Sequence, residues 1–224
     1  KVMDKLQAVF FDLDGTLVNT IGDIASAYNY ALEQVGLPFR TEDEYKRFAG
    51  NGSRVLCQRA VGEEHVSLAD EVDSIAVRRY QEDCTGLSHT YEGIQDAIEV
   101  LHSRGIKLAV LSNKPDPLTQ EIIKTFFPES MFELIRGLSE GDKAKPDATL
   151  LLQMCERMDA EPKECIFVGD SEVDVETARN ANMKSVAVDW GFRSVEKLEE
   201  AGADIILEDT ADIASLPEIF DNID

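Results

Sequence analysis

Two patterns of apolar residues divide the chain into regions of different predicted structure. Short apolar runs bounded by turn residues predict buried strands, and between them lie longer stretches with helical spacing of apolar positions. The predicted strands are 7–11, 107–111, 132–135, 165–168, 185–188 and 205–207, and the helices between the later ones are 94–103, 118–125, 147–158 and 175–180. Strands that alternate with helices of this length predict a doubly wound α/β fold, in which helices cover both faces of a parallel sheet.

One segment interrupts this alternation. From Ile21 to Val35 the apolar residues recur at helical spacing, and Gly36 supplies a stop. Further helices are predicted over 41–49, 53–61 and 68–83, without a convincing strand between them. We therefore expect two domains, an α/β core formed by residues 1–17 and 86–224 and a helical cap domain inserted at 18–85.

Length and composition are those of a globular protein. The 224 residues, 43% hydrophobic and 29% charged, are enough for one core and a modest second unit. The apolar runs are too short to cross a bilayer, and we expect no secretory signal, so the protein is predicted to be cytoplasmic. The cysteines lack the C-x-x-C spacing of a metal site and are expected to be free thiols. They are Cys57, Cys84, Cys155 and Cys165.

The formal net charge of −22 restricts the possible partners. Such a surface repels nucleic-acid phosphates and anionic membranes, so neither is expected to bind. A small phosphorylated substrate would also be repelled at long range. A site for such a substrate must therefore supply its own cation and local positive groups. We expect the chain to act as a monomer or a homodimer.

Polar residues cluster where predicted strands end. Ligands of parallel α/β sheets bind at the carboxyl ends of the strands, so clusters from separate strands are expected to form one site. The clusters are Asp12 with Asp14, Ser112 with Asn113, Lys143 with Lys145, and Asp170 with Asp174. Each of them alone is compatible with an ordinary turn, a helix cap or a solvated loop. Together they predict a functional site.

The acidic turn after the first strand offers the chemistry of a nucleophile. Asp12 is ionised at neutral pH, with a reference pKa of about 3.9, and can attack phosphorus. Asp14, in the same pocket, can exchange protons with a leaving group and with water. Gly15 allows a phosphate to approach the backbone, and Thr16 offers a hydroxyl and an N–H. The alternative is a calcium-binding loop, but the positions after Gly15 lack its further acidic ligands.

The other clusters can complete such a site. Asp170 can join Asp12 as a hard oxygen ligand for Mg²⁺, which usually takes one or two protein carboxylates, with Asp174 nearby. Ser112 and Asn113 can donate hydrogen bonds to phosphoryl oxygens without adding charge.

The order of these motifs resembles the haloacid dehalogenase superfamily over essentially the whole chain. The matching stretches are 12–17, 111–114, Lys143 with Pro146, and Gly169-Asp170 with Asp174. Within the superfamily, the stretches 113–115, 167–171 and 50–52 resemble phosphoglycolate phosphatases. The resemblance implies a Rossmann-like core, with a helical cap that lies between the first two motifs.

The resemblance also implies residue roles. Asp12 would take the phosphoryl group, and Asp14 would protonate the leaving group and then activate water. Mg²⁺ would be held by the Asp12 carboxylate, the Asp14 backbone carbonyl and Asp170, with Asp174 in support. Ser112 and a lysine would hold the transferred oxygens.

The identity of that lysine is open between two residues. The family's lysine is followed by a proline three residues later, which favours Lys143 because Pro146 then matches. Lys145 is the alternative. In the cap, Asn51 and Gly52 are expected to contact the substrate, and Arg47 and Arg54 either bind a substrate carboxylate or lie on a solvated helix face.

The expected function is hydrolysis of a small phosphorylated metabolite, with 2-phosphoglycolate preferred. A pyrophosphatase or a β-phosphoglucomutase-like mutase on the same scaffold is the alternative. A dehalogenase is disfavoured because it needs neither Asp14 nor magnesium. A non-catalytic binding module is disfavoured because none of the expected catalytic side chains has been replaced.

Overall fold

The central feature is a six-stranded sheet with strand order β5-β4-β1-β6-β7-β8, in a computed structural model that describes residues 5–223. All its strand pairs are parallel, and β2 and β3 form a separate antiparallel pair. The strands are β1 (Ala8–Phe11), β2 (Val18–Asn19), β3 (His89–Thr90), β4 (Lys107–Pro115), β5 (Leu134–Leu138), β6 (Cys165–Gly169), β7 (Lys184–Val188) and β8 (Ile205–Leu207).

Helices flank this sheet and also form the insert. Those between β2 and β3 are α1 (Ile21–Gln34), α2 (Glu42–Phe48), α3 (Ser53–Val61) and α4 (Ala69–Glu82). Those of the α/β part are α5 (Ile94–Ser103), α6 (Asp116–Phe126), α7 (Thr149–Arg157), α8 (Glu172–Asn180), α9 (Val195–Ala201) and α10 (Leu216–Asp221). Short 3₁₀ turns lie at 63–68, 162–164 and 210–215. The limits of the predicted cap domain, 18 and 85, remain predictions.

Strand β1 is fully buried because it lies between β4 and β6. Alternate residues face opposite sides of the sheet, so Val9 and Phe11 belong to one apolar cluster, and Ala8 and Phe10 to the other. A strand covered on both faces must be apolar at every position, which explains the continuous run from Ala8 to Phe11. The predicted doubly wound α/β fold is confirmed.

The insert has its own buried aromatic centre. Tyr28 from α1 packs at 6.2 Å from Tyr45 of α2 and at 6.5 Å from Tyr80 of α4, measured between ring centroids. All three rings are almost fully buried. The helices of the insert therefore pack on one another through these rings, which belong to the same apolar cluster as Val9 and Phe11 of β1.

The prediction that the second strand of the sheet ends at Leu111 is wrong. Strand β4 continues to Pro115, with a register shift against β5 between Leu111 and Pro115, so Ser112 and Asn113 lie within it. The apolar run stops at Leu111, yet both polar residues that follow are buried. Both residues line a cavity and do not face solvent. A pattern of apolar residues cannot predict that a strand continues through buried polar residues. Among the described residues, no helix is both long and apolar enough to cross a membrane.

Candidate active site

The carboxyl ends of β1, β4 and β6 bring the predicted residues together. Asp12 directly follows β1, and its N–H donates to the Val168 carbonyl at 2.9 Å, which continues the sheet pairing by one residue. The residue is only 9% exposed. A carboxylate fixed in this way at the centre of the sheet edge has little freedom to move.

Lys145 lies against this carboxylate, whereas Lys143 does not. Lys145 Nζ is 3.1 Å from Asp12 Oδ1 and 2.7 Å from Asp174 Oδ1, and the side chain is almost fully buried. Lys143 is exposed. The choice of Lys143 as the lysine of the site is therefore corrected to Lys145. Burial disfavours the charged form of Lys145, but Asp12 and Asp174 outweigh this and raise its pKa.

Asn113 determines which lysine enters the site. The backbone N–H of Lys145 donates to Asn113 Oδ1 at 2.8 Å, and Asn113 Nδ2 donates to the Lys145 carbonyl at 2.9 Å. This pair of bonds fixes the peptide of Lys145 against β4, so its side chain turns inward. Asn113 also donates to the Gly50 carbonyl in the insert, at 2.9 Å.

Asp174 organises the loop between β6 and α8. Its Oδ2 accepts from the N–H groups of Asp170 and Ser171 at 3.1 and 3.2 Å, and from Ser171 Oγ at 3.0 Å. Ser171 and Asp174 form the capping box of α8. With Oδ1 on Lys145, Asp174 connects the lysine to the loop that carries Asp170.

Asp170 is held by neighbours from two other loops. Its Oδ2 accepts from the Phe192 N–H at 2.8 Å, and its Oδ1 accepts from Thr16 Oγ1 at 3.3 Å. Gly15 has a φ of 81°, and a Cβ there would overlap Asp170 Oδ2. The glycine is therefore required by the approach of this carboxylate. Substrate contact by Gly15 and Thr16 stays a prediction.

Asp12, Asp170 and Asp174 could hold a metal ion, since one carboxylate oxygen of each lies within 4.8 Å of the others. Burial, reinforced by Asp174, raises the pKa of Asp170 to about 7. Burial and Asp174 likewise raise the pKa of Asp12, against the opposing charge of Lys145. The cluster thus concentrates more negative charge than the lysine offsets. A divalent cation with a preference for hard oxygen ligands fits this donor set.

Asp14 lies outside this cluster of carboxylates. Its Oδ1 accepts from Thr20 Oγ1 at 2.5 Å and from Lys114 Nζ at 2.8 Å. The buried Lys114 also lies 4.6 Å from the ring centroid of Tyr80 in α4. Both bonds go to Oδ1, and proton exchange by Asp14 stays a prediction. The predicted metal contact through the Asp14 carbonyl stays a prediction.

A small cavity of about 50 Å³ lies between the sheet edge and the insert. The core contributes Asp12, Asp14, Ser112, Asn113, Lys114 and Asp170, among others, and the insert contributes Ile24, Tyr28, Ala49, Gly50, Gly52, Ser53 and Leu56. Ser112 Oγ accepts from the Lys114 N–H at 3.1 Å, so its own hydrogen is available to donate.

The cap residues that were predicted to contact substrate lie at different distances from the cavity surface: one lines it, and others are exposed to solvent. Gly52 lines the cavity, whereas Asn51 is not among the lining residues in the described part of the chain. Arg47 and Arg54 are exposed, and Arg54 pairs with Asp70 on the surface. Both positions are those of the surface alternative, and substrate contact by either arginine stays a prediction.

Sequence reasoning missed several residues of the site. Lys114 stood inside a recognised motif but received no role. Phe192 and Arg193 follow β7, a strand end to which no cluster was assigned. Arg193 is buried beside the cavity. The sequence signal for it is an arginine that follows a predicted strand in a chain with few basic residues.

Fold and site together define a class of protein: a doubly wound α/β core with a helical insert facing an acidic centre at the sheet edge. The profile of the haloacid dehalogenase-like hydrolases matches residues 9–188. The chain belongs to this family.

Relatives cover nearly the whole chain. Phosphoglycolate phosphatase from Pasteurella multocida is 31% identical and covers 96% of this chain and 100% of its own length. The protein of that name from Chromobacterium violaceum is 32% identical, with 94% and 96% covered. A crystal structure from Lactobacillus delbrueckii subsp. bulgaricus, provisionally named a phosphoglycolate phosphatase, has a TM-score of 0.87 and 31% identity, and covers 96% and 98%.

Proposed function

We propose that this protein is a Mg²⁺-dependent phosphatase that hydrolyses a small phosphomonoester through a phosphoaspartyl intermediate on Asp12. The observation that carries the proposal is the contact of Asp12 with Lys145, beside Asp170 and Asp174. A phosphoryl group in front of Asp12 would meet the positive charge of Lys145 and the hydroxyl of Ser112. Such fixed charges and donors provide most of the catalysis in phosphoryl transfer.

The reaction has two steps. An oxygen of Asp12 attacks phosphorus, the bond from phosphorus to the ester oxygen breaks, and Asp14 protonates the leaving alkoxide. Asp14 then takes a proton from a water molecule, which attacks phosphorus and releases inorganic phosphate from Asp12. The hydrogen bonds from Thr20 and Lys114 hold the Asp14 carboxylate in place during both steps.

Asp12 and Asp170 would hold the metal, with Asp174 orienting the loop and Lys145. When bound, Mg²⁺ would neutralise charge on the phosphoryl oxygens.

Removing the metal tests this assignment. EDTA treatment is expected to abolish hydrolysis, and added Mg²⁺ should restore it. Because a cation relieves repulsion between buried carboxylates, Mg²⁺ should also raise the melting temperature of the substrate-free protein. Calorimetry measures this effect. Full activity in EDTA, or a melting temperature indifferent to Mg²⁺, would contradict the metal site.

The preferred substrate is 2-phosphoglycolate. The relatives named above support it, as does the small cavity, which suits a short molecule. Helix α3 begins at the cavity, directly after Gly52, and no side chain caps its N-terminus. Its first N–H groups can therefore donate hydrogen bonds to the carboxylate of the substrate.

A panel of phosphorylated compounds tests the substrate. With Mg²⁺ present, kcat/KM is expected to be highest for 2-phosphoglycolate, at least about tenfold above pyrophosphate and β-glucose 1-phosphate. The glucose ring is larger than glycolate and would meet Tyr28 and Leu56. The second phosphate of pyrophosphate brings more negative charge than a carboxylate to a site beside acidic residues. Phosphate release is measured for each compound, and isomerisation is measured for the sugar phosphate. A preference for pyrophosphate would show instead that the protein is a pyrophosphatase. Rapid isomerisation of the sugar phosphate would show that it is a phosphomutase.

A further inference from the structure

The loop after β7, residues 189–194, contacts both the candidate metal site and the insert. Trp190 Nε1 donates to the Thr16 carbonyl at 3.0 Å, and the Phe192 N–H donates to Asp170 Oδ2 at 2.8 Å. Gly191 lies so close to Gly15 and Asp170 that a Cβ would overlap both. The loop is therefore packed directly against the residues that form the floor of the site.

Arg193 extends from this loop to the insert. Its Nη2 donates to the Ala49 carbonyl at 2.6 Å, its Nη1 donates to the Lys46 carbonyl, and its Nε donates to Glu172 at 2.9 Å. Both carbonyls lie at the C-terminal end of α2, where a cation is favoured. The side chain is only 4% exposed. Three of the five guanidinium N–H groups therefore have protein acceptors, and the acceptors of both Nη atoms lie in the insert.

A second connection reaches the same turn of the insert. Asn113 donates to the Gly50 carbonyl while it holds the backbone of Lys145. Gly50 directly follows Ala49, which accepts from Arg193. The turn over the cavity is thus held at adjacent residues, by one group connected to Lys145 and one connected to Asp170.

We propose that Arg193 is a positioning residue that holds the turn 46–52 of the insert closed over the site and connects this closure to the placement of Asp170. Its effect on turnover rests on the proposed phosphatase function, whereas its effect on the position of the insert does not. The guanidinium is suited to this task because its fork can donate to several fixed acceptors at once, which a lysine cannot do.

The experiment compares R193M with R193K and with R59M as the matched control. Arg59 also donates to a carbonyl at the end of α2, that of Phe48, but lies within the insert and is exposed. Spin labels at D43C and E176C, both exposed, report the distance between the insert and the core. The native cysteines are buried and should not be labelled.

The spin-label distance distribution is expected to be narrow in the unmutated protein and in R59M, and longer and broader in R193M, without substrate or metal. With 2-phosphoglycolate and Mg²⁺, kcat/KM of R193M should fall by about 10- to 100-fold, and the Mg²⁺ concentration for half-maximal rate should rise. For R193K, both quantities should lie between those of R193M and those of the unmutated protein. R59M should keep both constants.

Each arm of the experiment can overturn the inference. An unchanged distance distribution in R193M excludes a role in closure. A broadened distribution with unchanged kcat and KM excludes a positioning role in the reaction. If R193M does not fold, R193K decides in the same two ways. If the unmutated protein hydrolyses no phosphomonoester, the proposed function fails, and the distance measurement still decides whether Arg193 holds the insert.

Discussion

Replacing Asp12 with asparagine is expected to lower phosphatase activity by at least ~10⁴-fold, because the amide cannot form the phosphoryl-enzyme bond. The variant should nevertheless fold. Asp12 is buried beside Asp170 and Asp174, so asparagine removes one of three mutually repelling carboxylates, whose charge Lys145 offsets only in part. The melting temperature of the metal-free variant should therefore be no lower than that of the unmutated protein.

The measurement combines turnover, calorimetry and acid quenching. Quenched during turnover, the unmutated protein should give a phosphorylated peptide that contains Asp12, and D12N should give none. D96N, the same substitution at an exposed aspartate of α5, should match the unmutated protein throughout. Hydrolysis by D12N at the full rate would exclude Asp12 as the nucleophile. Its unfolding would show that the carboxylate is needed for the fold.

The sequence predicts the bounds of an element correctly where its apolar pattern ends at a residue, such as glycine, that stops the element. Helices α3 and α5 have the predicted bounds because helical spacing runs between glycines, Gly52 to Gly62 and Gly93 to Gly105. Strand β8 was also predicted at its observed residues. Strand β5 was placed too early, at 132–135 instead of 134–138, and α9 and α10 were not predicted. Those segments have short or weak apolar patterns, and contacts from distant residues fix them.

The residues of the site also divide into those that a local pattern places and those that distant contacts place. The acidic residues after β1 and β6 could be placed from the sequence because the end of each apolar run marks a strand end. Lys143 and Lys145 could not be distinguished by their own surroundings, since both precede Pro146 in one loop. Asn113, which is 32 residues away, selects Lys145 through its backbone. The partners of Arg193 at Lys46 and Ala49 are more distant still, and no local pattern encodes them.

The pair K145M and K143M provides the sharpest test of this correction. Lys145 connects two buried carboxylates, and methionine fills a similar volume without charge. We expect K145M to lose ~10²- to 10⁴-fold in kcat/KM, since the transferred phosphoryl group loses a fixed positive charge. Removing one partner of a buried ion pair leaves the others uncompensated, so unfolding free energy should fall by ~3 kcal/mol without metal. Mg²⁺ should restore part of that loss because it neutralises the same carboxylates.

K143M is the matched control, since it makes the same substitution two residues earlier at an exposed position. Its kcat/KM should stay within about twofold of the unmutated protein, and its unfolding free energy within ~0.5 kcal/mol. Phosphate-release kinetics and urea unfolding, with and without Mg²⁺, measure both variants. A large activity loss in K143M with a normal K145M would return the catalytic role to Lys143. If K145M fails to fold without Mg²⁺, refolding with Mg²⁺ should recover it, because the cation neutralises part of the charge of the buried carboxylates.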